Sequence, residues 1–138
     1  MDDFRQMTSS GETASDDTIA LARTAAEAIR GLNHATRCDA GLGQPAAAYD
    51  ILGALSLAAS RLPQLIGQVA AWLDRALAAG RLGHDLGEDP SFAVEAAAVF
   101  LGDARGSAAT LAGDLDAAQQ QLAPVNGNPA TSRRKDHQ

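Results

Sequence analysis

Between Pro45 and Ala79 the apolar residues recur in alternating steps of three and four: Leu52, Leu55, Ala59, Leu62, Ile66, Val69, Leu73 and Ala76. That spacing is the stripe of an amphipathic α-helix and is incompatible with the period of two that a strand requires. A second row, Ile51, Ala58, Leu65 and Trp72, runs seven residues apart beside the first, so this helix has apolar surface for two neighbours. Asp50, Ser60, Arg61, Gln64, Gln68, Asp74 and Arg75 fill the opposite face. Pro63 falls inside the stripe, and an interior proline removes one helical hydrogen bond and crowds the preceding turn. The stripe passes it without changing phase, whereas a loop resets phase, so the expectation is one long helix kinked near Pro63 rather than two.

The same periodicity appears twice more. A first helix is expected over about Asp17–Thr36, with Ser15 or Asp16 as N-cap and an apolar face of Leu21, Ala22, Ala25, Ala28, Ile29, Leu32 and Ala35. The stretch 37–44 holds Gly41 and Gly43 for a turn, and Pro45 opens the second helix. After a glycine-containing loop at residues 80–89, Asp89 and Pro90 supply an N-cap and a first-turn proline. The third helix then runs to about Leu122 on a seam of Val94, Ala97, Leu101, Ala104, Ala108, Leu111, Leu115, Ala118 and Leu122. Short connections force neighbouring helices to be antiparallel, so the expected fold is all-α: an up-down-up three-helix bundle over residues 15–123. Residues 1–14 and 124–138 lack apolar periodicity and read as mobile tails.

Composition narrows the function classes. The net charge of −6 argues against indiscriminate nucleic-acid binding, which needs a basic excess to neutralise phosphates. Arg61, Gln64, Gln68 and Asp74 interrupt the longest apolar stretches, so no membrane span is expected, and no signal peptide is visible after Met1. The single Cys38 cannot form an intrachain disulfide, which fits a reducing, cytoplasmic setting.

Expected lengths place the candidate site. At ~1.5 Å per residue the first helix would span ~30 Å and the other two ~50 Å each. A shorter first helix covers only the half of the hairpin near residues 46–66 and 102–122. The other half carries the largest apolar groups, among them Ile66, Val69, Trp72, Leu77, Phe92, Val99 and Phe100. A contiguous apolar patch of this kind marks an interface. The N-terminal segment, through Phe4, Met7 and a lengthened first helix, is the alternative cover within the chain.

No chemical constellation competes with that surface. His34 and Cys38 are spaced i, i+4, but a tetrahedral zinc site needs two further ligands, and His84 and His137 lie far along the chain. The loop 84–89 gathers acidic residues without the alternating spacing of a calcium loop. Arg23, Arg30 and Arg37 recur every seven residues, with Glu27 placed to pair with its neighbours. Glycine-rich phosphate motifs and Gly-x-Ser-x-Gly are absent. The expectation is a non-enzymatic interaction or regulatory module without cofactor or metal. Its surface near Trp72, Phe92 and Phe100 would serve self-association as a homodimer or capture of a protein partner. A small-molecule-binding bundle with an apolar pocket at the same end is the competing reading. It is disfavoured because such pockets hold convergent polar groups that this end lacks.

Overall fold

The structure, a computed structural model, describes residues 2–128, with side chains from residue 11 onward. It is all-α. Four helices are present and no strand occurs among the described residues: α1 Asp2–Ala35, α2 Asp39–Leu42, α3 Pro45–Ala78 and α4 Pro90–Leu122. The chain forms two compact units, Met1–Gly43 and Gln44–Gln138.

In the first unit, α1 starts at Asp2, well before the start expected near Asp17. Ser15 does not cap a helix but sits inside one, where its hydroxyl donates to the Glu12 carbonyl at 3.0 Å. Thr18 and Thr24 do the same to Ala14 and Ala20, each at 2.9 Å. Hydroxyls turned back onto the preceding turn stop competing for a helix start, which is why these residues do not end the helix. Residues 2–14, expected as part of a mobile tail, are therefore helical backbone. The side chains of Phe4 and Met7, the alternative cover, lie outside the described residues. At 34 residues, α1 equals α3 in length. The inequality that singled out one half of the hairpin is thus removed, and any exposed face has to be established from the hairpin itself.

Beyond α1, Thr36 and Arg37 close the last turn onto Leu32 and His34, and the single-turn α2 follows. Gly41 packs so closely under the Ala35 carbonyl that a Cβ there would overlap it. The turn into the next helix ends at Gly43, whose φ of +67° is left-handed and suits glycine.

The second unit is an antiparallel hairpin of α3 and α4. α3 continues unbroken through Pro63, as the uninterrupted stripe requires. It ends in a Schellman motif at Gly80 (φ +70°): Gly80 N–H donates to the Leu77 carbonyl at 3.0 Å and Arg81 N–H to the Ala76 carbonyl at 2.9 Å. Asp89 caps α4, its carboxylate accepting the Ser91 N–H at 3.0 Å, with Pro90 in the first turn. That bond holds the Asp89 carboxyl below its ordinary range. Residues 123–128 follow α4 without a further helix, and the rest of the expected C-terminal tail, 129–138, lies outside the described residues.

Packing between α3 and α4 is dominated by small residues. The buried side chains are Ala59, Ala76, Val94 and Ala108, and no large side chain is fully buried among the described residues. Leu52, Leu55, Ile66 and Leu73 are half-buried along the same line. Alanine at the contact lets the axes approach toward the lower end of the ~8–10 Å range. The α4 seam follows Val94, Ala97, Leu101, Ala104, Ala108, Leu115 and Leu122 as expected, but Ala112 and Gln119 take the places expected for Leu111 and Ala118, a shift of one residue at each. Leu111 is left 48% exposed and Ala118 exposed. Hydrogen bonding explains the shift. The Ser56 hydroxyl donates to the Ala112 carbonyl at 2.9 Å, and Gln119 Nε2 donates to the Tyr49 carbonyl at 3.2 Å across Gly53. Two half-buried polar groups satisfied between the helices outweigh the burial of one more leucine.

Candidate functional site: an apolar face of the hairpin

The hydrogen bonds and close contacts define the two sides of the helical pair. Ser56 and Gly67 on α3 meet Ala112 and Arg105 on α4, the Arg105 guanidinium lying across Gly67. These residues mark one side. Turning ~100° per residue, Leu65 and Trp72 lie a quarter turn or more from the α3 seam, and Leu62 and Val69 roughly 40–60° from it, all in the sense opposite to Gly67. On α4, Phe100 and Leu111 lie a quarter turn from the seam in the sense opposite to Arg105. Because the helices are antiparallel, both sets emerge on the same, second side of the hairpin. Trp72 is 49% exposed, Val69 47%, Leu65 53% and Phe100 73%.

This face contains a complete heptad row. Ala58, Leu62, Leu65, Val69 and Trp72 follow steps of four and three, one position out of phase with the buried row that contacts α4. A helix with two adjoining rows of this kind has apolar surface for two neighbours, and α4 occupies only one. Around the loop end, the Arg81 guanidinium sits 5.7 Å from the centre of the Trp72 ring. The cation stacks over one part of the indole and leaves the remainder of the ring in water.

The residues singled out from the sequence separate into three groups. Val69, Trp72 and Phe100 share the exposed face. Ile66 and Leu77 are half-buried along the hairpin, Ile66 on the α4 seam. Phe92 and Val99, 72% and 65% exposed, point away from α3 on the outer side of α4. Leu62, Leu65 and Leu111 also belong to the face, although their spacing alone assigns them only to a seam or second row. For Leu62 and Leu65 the signal that could have found them is the four-three spacing of the second α3 row; Leu111, on α4, leaves the seam only through the contacts of Ala112 and Gln119.

Polar groups elsewhere form short local contacts. Arg30 pairs with Glu27 on α1 at 3.5 Å. His84 Nδ1 accepts the Leu86 N–H at 3.1 Å, and its Nε2 lies 3.9 Å from Glu88. Cys38 is an exposed free thiol. Among the described residues no group of three or more His, Cys, Asp or Glu side chains is placed to hold a metal ion. A shallow, open depression along α4 is lined by Asp103, Ser107, Leu111 and Asp114 among others, and so borders the α4 half of the face. No helix among the described residues is long and apolar enough to cross a membrane.

Fold and surface together define a class: an all-α protein whose helical hairpin leaves a second heptad row without a helical neighbour inside its own unit. No protein-family model matches the chain, and neither a curated protein nor a solved structure shows significant similarity to it.

Proposed function

We propose that this protein is a non-enzymatic interaction module that receives a protein helix along the α3–α4 hairpin. The observation that carries this reading is the exposed row Ala58–Leu62–Leu65–Val69–Trp72 with Phe100 beside it. Leaving Trp72 and Phe100 in water forgoes ~1.5–3 kcal/mol for each side chain that a partner would bury. Together the large apolar groups of the face expose on the order of 600 Å², approaching the ~800 Å² per partner of a standard interface. The lone exposed thiol of Cys38 suits a reducing compartment, and the proposal places the module in the cytoplasm.

Site-specific photo-crosslinking tests the reading in the native cell. A photoreactive residue at position 100 is expected to give a covalent adduct with the apolar stripe of a helix. The same residue at position 113, on the outer side of α4, is expected to give none. Absence of adducts from position 100, with Trp72 of the purified chain closed to soluble quenchers, would overturn the proposal.

A further inference from the structure

The arrangement of charge and side-chain size on this face points to one occupant. We infer that the apolar face pairs with the same face of a second copy of this chain, giving a four-helix bundle whose two-fold axis runs parallel to the helices. The inference rests on the reading of this face as an interaction surface.

Two edges flank the face. On the α3 edge stands Arg61, and on the α4 edge stand Asp103 and Asp114, all exposed. None of the three has an ion-pair partner among the described residues. A two-fold axis along the hairpin lays α4 of the second copy over α3, and so sets its acidic edge against Arg61. The register follows from Ser56 opposite Ala112 and Tyr49 opposite Gln119. Continued along the pair, it puts Arg61 at the level of Ser107, between Asp103 and Asp114 and within one to two helical turns of each. The other two-fold arrangement, with the axis across the helices, stacks α3 on α3 and sets Arg61 against α3 of the second copy, away from its acidic edge.

Side-chain sizes fit the same operator. At the level of Trp72 the opposing α4 carries Ala96. At the level of Leu62 it carries Gly106, with Ser107 beside it. Trp72 and Leu62 of one copy meet small groups of the other, as facing layers need in order to interdigitate. Every neighbouring helix pair is then antiparallel, as in bundles made from two hairpins.

The test uses the full chain. Sedimentation or light scattering over a range of concentrations at low salt is expected to give a dimer. Arg61→Glu on one chain, or Asp103→Lys with Asp114→Lys on another, is expected to weaken self-association by about tenfold or more, because like charges then face each other. Mixing the two variants restores opposite charges at both edges and is expected to recover the dimer, whereas neither variant alone does. A dimer indifferent to these substitutions overturns the inference. So does a monomer at every concentration, and Trp72, the single tryptophan, then separates the causes. A monomer whose Trp72 is open to quenchers overturns self-pairing and leaves the interaction-module reading standing. A monomer whose Trp72 is shielded means that the chain covers its own face, and both fall.

Discussion

The outer side of α4 carries three glycines, Gly102, Gly106 and Gly113, and their replacement by alanine tests which surface of the hairpin is in use. All three are helical with negative φ, so alanine adopts their backbone without strain. A Cβ built at any of them meets no atom within 4 Å. Nothing in the described chain therefore opposes the methyl group, and the gain is the helix-propensity difference of ~1 kcal/mol per site. The positions lie four and seven residues apart with no shared partners, so the triple variant should gain roughly 2–3 kcal/mol. For a unit of this size, that raises the melting temperature by roughly 10 °C or more. Calorimetry or thermal circular dichroism at one fixed protein concentration measures the shift. Dimerisation by the Trp72 face leaves these positions in water, so the gain should persist in the associated state. An unchanged or lowered midpoint would mean that another chain approaches the glycines closely. The interaction surface would then lie on the glycine side of α4, and the Trp72–Phe100 face would not be the one in use. Gly41→Ala makes the opposite case. Its methyl group would occupy the place of the Ala35 carbonyl, so the same chemical change should destabilise the first unit, read by loss of helical signal at lower temperature.

Other substitutions probe the hairpin seam and its entry. Ser56→Ala removes the hydroxyl that donates to Ala112 and should cost ~0.5–1.5 kcal/mol in a denaturant titration; a neutral result would show that this bond does not hold the register. Ala59→Leu forces a larger side chain into a position that is 3% exposed and should destabilise by ~1–3 kcal/mol, whereas full tolerance would mean that the helix axes are too far apart for alanine to be in contact. For Asp89 the folded pKa lies below the unfolded value, so its contribution is fully present above the unfolded value of ~3.9 and lost as pH falls through the lower folded value. Asp89→Asn should therefore flatten the acid limb of the stability profile, and an unchanged limb would contradict the capping bond.

Particular elements show what local pattern could and could not convey. The continuity of α3 through Pro63 was readable because burial of a stripe constrains phase over many residues, more than one missing hydrogen bond perturbs it. The Asp89–Pro90 start of α4 was readable because capping is a contact between near neighbours. The start of α1 was not: Ser15 and Asp16 have the composition of a cap, and only the direction of the Ser15 hydroxyl shows it is interior. Two positions of the α4 seam beyond Ala108 were likewise hidden, while Leu115 and Leu122 lie where the periodicity puts them. The step from Ala108 to Ala112 depends on Ser56 and Tyr49, more than fifty residues away in the chain.

The candidate face divides in the same manner. Of its α3 half, Ala58, Leu65 and Trp72 could be counted directly from the sequence as a second row, whereas Leu62 and Val69 count there as seam and only their exposure puts them on the face. Its α4 half could not be counted, because Phe92, Val99 and Phe100 differ little in composition and proximity. Only the antiparallel register puts Phe100 beside Val69 and turns Phe92 and Val99 outward.

Taken alone, the order of residues determined that this chain is helical, where its two long hairpin helices turn, and that α3 has apolar surface for more than one neighbour. Those properties depend on contacts within a few residues, where the 3.6-residue period acts. Which side of the hairpin carries the exposed apolar residues, and which charges border it, was decided by tertiary structure. Both depend on how two distant helices rotate about their own axes when a hydroxyl, a glutamine and a row of alanines meet.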